Sequence, residues 1–158
     1  MSETSRDHPG VVAPPPLIYL SFLLAGWGLG RLVDLPEIGG ERSLRLIAAF
    51  VLIVFGLGLD LWSIGAFRKR GTAVQPWKPS TALVAEGPYR FSRNPIYVGF
   101  ALTYAGLALA LNSWPALALL VPCLIVVDRG VIAREERYLS AKFGAPYDAY
   151  RARVRRWL

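Results

Sequence analysis

LRLIAAFVLIVFGLGLDLWSIGAF, residues 44 to 67, decides the fold. These 24 residues carry Arg45 at the rim and one charge in the interior, Asp60. At a rise of ~1.5 Å per residue, a helix of that length spans the ~30 Å hydrocarbon core of a bilayer. The chain is therefore expected to be a helical membrane protein. Its composition agrees: 158 residues are 54% hydrophobic with a mean hydropathy of +0.38, which is one domain's length but too apolar for an ordinary soluble one.

Outward from this run, three more apolar stretches appear. Residues 17–33 are apolar except for Arg31, short for a span but with an arginine placed to snorkel. Pro14, Pro15 and Pro16 precede that run, and no small-residue cleavage site follows it, so it reads as a helix of the mature protein rather than a signal peptide. Residues 96–111 and 114–127 flank Asn112-Ser113 with no charge between them, which predicts a tight helical hairpin. The expected fold is all-α, with four spans and a C-terminal helical extension. A polar tail over residues 1–16 precedes a single domain over 17–158.

The net charge of +7 comes from 18 Lys and Arg placed almost wholly outside the apolar runs. That placement fits topology signals and lipid-surface contacts, not nucleic-acid binding. Six basic residues lie between the second and third runs and eight follow the fourth, whereas Arg31, Arg42 and Arg45 are balanced by Asp34, Glu37 and Glu41. Both termini are thus expected in the cytoplasm. Cys123 is the only cysteine, so no intrachain disulfide forms. His8, the only histidine, lies in the tail, which removes a histidine metal cluster and histidine acid–base chemistry.

The chemistry concentrates in GPYRFSRNPIYVG, residues 87–99, at the predicted cytoplasmic mouth of the third span. Asn94-Pro95 keeps Asn94 out of helical geometry while Pro95 starts the helix, and Arg90 and Arg93 flank that start as an anion site would require. Tyr89 and Tyr97 add flat surfaces with polar tips. Beyond the fourth span, Ile132, Glu136, Leu139 and Phe143 share one helical stripe, so Glu136 is expected to face inward and to need a partner. With Glu135 it forms a carboxylate pair able to hold an ammonium or steady a sulfonium. The tail YDAYRARVRRWL reads as a short amphipathic helix for a headgroup layer. Asp60, about 10 Å inside the second span, calls for a tyrosine, arginine or ligand partner. The glycines at 26, 28, 30, 56 and 58 read as close helix packing, since no strand precedes them.

In order and spacing, the GPYR turn (87–90), RNPIYVG (93–99), the two-span hairpin, Glu135-Glu136 and FGAPYDAYRARVRRWL (143–158) resemble the isoprenylcysteine carboxyl methyltransferases and their phospholipid methyltransferase relatives. The resemblance runs from about Leu61 to Trp157. It implies an integral membrane enzyme, in a bacterium one of the inner membrane, that uses S-adenosylmethionine. It also implies a cofactor region over residues 87–158. Cofactor contacts follow for Tyr89, Arg90, Arg93, Asn94, Tyr97, Gly99, Glu135, Glu136 and Tyr147, with Tyr150 bracing the site and Arg90, Asn94 and Glu136 as catalytic candidates. Many relatives carry histidine where this chain has Asn94, and asparagine does not titrate. The acceptor is expected to be lipophilic or amphipathic, presenting a carboxylate, amine or thiol. Two alternatives stand beside this reading: an NADPH-dependent membrane reductase of the sterol or enone type, and a non-catalytic membrane scaffold.

Overall fold

The computed structural model of the chain describes residues 9–158, so the first half of the polar tail, with His8, lies outside the described residues. α1 (Pro15–Leu32) opens with prolines in its first turn, where a missing N–H costs no hydrogen bond. α2 (Arg42–Lys69) holds the deciding run. A 3₁₀ turn at Gly87–Arg90 leads to Asn94, whose φ of −132° and ψ of 50° lie outside the helical region, and Pro95 then starts α3 (Pro95–Ala110). α4 (Trp114–Val127) passes through a π segment (Asp128–Ile132) into α5 (Ala133–Phe143). Gly144, at a φ of +57°, ends that rod, and Pro146 lies in the first turn of α6 (Ala145–Arg153).

Among the described residues, two helices are long and apolar enough to cross a membrane, Arg42–Lys69 and the 30-residue Trp114–Phe143; α3 is apolar but shorter. The hairpin expected at Asn112-Ser113 is present. Asn112 adopts a left-handed φ of +53°, and Ser113 Oγ accepts from the Ala116 amide as the N-cap of α4. At that end Asn112 also donates to Glu37, and the Gly39 amide donates to Asn112, tying the α1–α2 loop to the hairpin.

α2 packs on α3 and α1 on α4, with α3 touching both partners of the second pair. The core runs between them through Tyr19, Leu23, Tyr104, Ala108, Ala116, Cys123 and Val127. Its α2–α3 seam is backbone on backbone. A Cβ on Gly56 would stand 2.6 Å from Gly99 O, and one on Gly99 would strike Asp60 Oδ1 and come within 2.8 Å of Gly56 O. Small residues allow this approach where lipid supplies no hydrophobic drive between helices. Gly56→Ala or Gly99→Ala is expected to destabilise by about 1–3 kcal/mol, read as a lower thermal midpoint in detergent. Gly58→Ala, which meets open space, should leave the midpoint in place.

Asp60 lies buried on this seam, and its Oδ1 has no hydrogen-bond partner among the described residues. The tyrosine or arginine expected from the sequence is not at that atom.

Candidate functional site

The ends of α2, α3 and the α4–α5 rod enclose a cavity of about 210 Å³ together with residues of the 70–86 loop. One wall is polar: Arg93 and Asn94 from the turn before α3, Tyr97 from its first turn, and Glu135 and Glu136 from α5. The lining also includes the apolar residues Phe67, Val74, Trp77, Leu83, Ile96 and Phe100. Such a mixed lining suits a ligand pair, one charged and one greasy.

The two adjacent glutamates have different jobs. Glu136 is spent on the protein itself. Arg93 Nη2 donates to its Oε1 at 2.7 Å, while Arg156 donates from Nη2 to Oε2 at 2.6 Å and from Nε to Oε1 at 3.1 Å. Arg156 Nη1 reaches on to Asp128 at 3.0 Å, and the Trp157 indole N–H donates to the same carboxylate at 3.0 Å. The hydrogen bond to Glu136 holds the Arg156 guanidinium above its ordinary pKa. Arg93 Nη1 donates to the carbonyls of Arg151 and Val154, so both Arg93 Nη atoms are engaged with the chain, while its buried Nε has no partner among the described residues.

Glu135 receives only the Tyr97 hydroxyl, 3.0 Å from each of its oxygens, and no Lys or Arg among the described residues pairs with it. It is a carboxyl group in the cavity wall with no ion-pair partner among the described residues. Tyr97 is itself fixed, because the Tyr19 hydroxyl of α1 donates to its carbonyl at 2.9 Å. Tyr97→Phe therefore removes the one donor to Glu135 and is expected to weaken binding of a cationic ligand by about 1–3 kcal/mol, read by titration calorimetry, with the fold retained.

Around this wall the phenols stay neutral. Burial, and then the charge of Glu136, push the Tyr147 hydroxyl up to about 12, and burial likewise raises those of Tyr89 and Tyr150. Neutral phenols serve as donors, as Tyr150 does in bonding the Tyr89 carbonyl at 2.8 Å.

Of the residues singled out in the sequence, Tyr89, Arg93, Asn94, Tyr97, Glu135, Glu136, Tyr147 and Tyr150 all line the cavity. Arg90 is exposed and lies off its lining, and Gly99 faces α2 rather than the cavity. The tail departs from its sequence reading: α6 stops at Arg153, and Tyr147 and Tyr150 are buried in the protein instead of facing a headgroup layer. Asp128, Arg156 and the loop residues around Trp77 were not anticipated. Asp128, an acid at the end of an apolar helix, is the signal that a cationic partner was needed.

Residues 44–146 match the phospholipid methyltransferase family. The chain belongs to that family. It is also similar to a curated protein of Haemophilus influenzae, described as an uncharacterized protein, at 51% identity over 35 residues, which are 22% of this chain and 56% of that one. The chain thus spans about half the length of that relative.

Proposed function

We propose that this chain transfers a methyl group from S-adenosylmethionine to a lipophilic or amphipathic acceptor at the cytoplasmic face of a bacterial inner membrane, with four crossings and both termini inside. The observation that carries the reading is Glu135: a cavity-lining carboxyl group, held by Tyr97, with no Lys or Arg paired to it among the described residues. The cofactor carries two cationic groups, an ammonium and a sulfonium, and a preorganised carboxylate in a partly dry wall is the protein's natural counterpart. When bound, it supplies an electrophilic methyl group open to in-line displacement. Glu135 would hold the cationic end, Asn94 and Tyr147 would contact its polar edges, and the wall from Phe67 to Phe100 would seat the acceptor's apolar part and exclude water.

Asn94 cannot titrate, so proton removal is not assigned to it. An acceptor arriving as a carboxylate, thiolate or free amine needs none. The reductase alternative asks for spare cations around a phosphate-rich ligand. Arg93 is the only Lys or Arg in the described lining, and it is already bound to Glu136. That arrangement favours a cationic cofactor over an anionic one.

The test is isotopic. Cells with and without the protein are fed methyl-labelled donor, and their lipid extracts are compared by mass spectrometry. A labelled species present only with the protein supports the reading; identical extracts at matched expression of folded protein refute it.

A further inference from the structure

Residues 154–157 lie outside the stretch that matches the family, yet they bond directly to Arg93, Asn94 and Glu136 of the cavity's polar wall. The Arg155 carbonyl accepts from the Arg93 amide at 2.9 Å, and the Arg156 carbonyl accepts from Asn94 Nδ2 at 2.8 Å. The Arg156 side chain forks onto Glu136 and continues to Asp128. One residue therefore grips the turn before α3 by its backbone and both ends of the π segment–α5 junction by its guanidinium.

We propose that residues 154–157 are a strap that positions the site, with Arg156 as the positioning residue that sets the spacing between Asn94 on one side and the Glu135-Glu136 pair on the other. This rests on the reading of the cavity as the cofactor site. The physical reason is geometric. Asn94 and Glu135 sit on separate elements, and the helix carrying Glu135 is interrupted just before by the π segment, where α-helical pitch is not enforced. The Arg93–Glu136 and Tyr97–Glu135 contacts already join the two elements, and the Arg156 fork holds the Glu136 carboxylate as a further tie. A bidentate guanidinium fixes distance and angle together, which a single contact does not. Misplacing a contact group by about 1 Å costs as much as about 100-fold in productive binding or rate.

Three variants test this in purified protein held in lipid nanodiscs. Arg156→Gln removes the fork. Arg156→Lys keeps the charge and at most one contact. Tyr104→Phe deletes a buried hydrogen bond to the Ala116 carbonyl in the core, away from the cavity, and serves as the stability control. Hydrogen exchange of the amides within residues 93–98 (all but Pro95, which has none), read without ligand, should rise several-fold in Arg156→Gln, rise less in Arg156→Lys, and stay at the parent value in Tyr104→Phe. Titration with S-adenosylmethionine should show affinity falling about tenfold or more in Arg156→Gln, with partial recovery in Arg156→Lys and no change in Tyr104→Phe. Unchanged exchange at 93–98 in Arg156→Gln overturns the strap whether or not the ligand binds. An affinity loss in Tyr104→Phe equal to that in Arg156→Gln also overturns it, because the loss would then follow stability rather than position. Failure of the parent protein to bind S-adenosylmethionine refutes the cofactor reading alone, and exchange still decides the strap.

Discussion

Glu136→Gln is expected to lower stability by about 3–5 kcal/mol, the cost of breaking a buried ion pair by removing one partner. The side chain of Glu136 is 7% exposed and that of Arg93 is 10% exposed, so water does not replace the lost charge for that pair. Arg156, at 33%, is partly solvated and relaxes more cheaply. The neutral amide would leave two guanidinium groups facing each other across one site, which adds repulsion to the lost attraction. Thermal unfolding in detergent is the readout, and the tail from Arg151 should become protease-sensitive as its anchor is lost. Loss of ligand binding in this variant is a consequence of that disorder. A midpoint equal to the parent's would mean that Glu136 does not hold the tail.

Glu135→Gln should behave in the opposite way. The amide is isosteric and still accepts from the Tyr97 hydroxyl, and no internal cation loses a partner. Stability should therefore stay near the parent's, while S-adenosylmethionine affinity drops by about 1.5–3 kcal/mol, the worth of a hydrogen bond to a charged group, or roughly 10- to 150-fold. The neighbouring pair thus separates by experiment: one glutamate's loss is seen in unfolding, the other's in titration. If Glu135→Gln binds as the parent does, the unpaired carboxylate has another purpose.

The pattern of what the sequence shows follows the range of the forces involved. The long run in α2, the Asn112 hairpin, the Asn94-Pro95 helix start and the stop at Gly144 are local events, written in residues within a turn of one another. The inward face of Glu136 was also legible, because a stripe at helical spacing is a local pattern. Its partners were not. Arg156 is 20 residues away from Glu136 in sequence and Arg93 is 43, and periodicity carries no information about which cation arrives. The tail misleads for the same reason: Tyr147, Tyr150, Val154 and Trp157 are spaced for one helical face, but Val154 turns extended so that Arg156 and Trp157 can meet Asp128 and Glu136. Gly99 sits in a polar motif that looks like a ligand loop, and its neighbour in space is the α2 backbone. Only the pairing of α2 with α3 reveals that contact.

The central claim is that the cavity wall between the α3 start and α5 is built for a positively charged methyl donor. Calorimetric titration of the purified protein in lipid nanodiscs with S-adenosylmethionine, and separately with NADPH, tests it most directly. Saturable heat with the first and none with the second is the expected result. Saturable NADPH binding with no response to S-adenosylmethionine would contradict it.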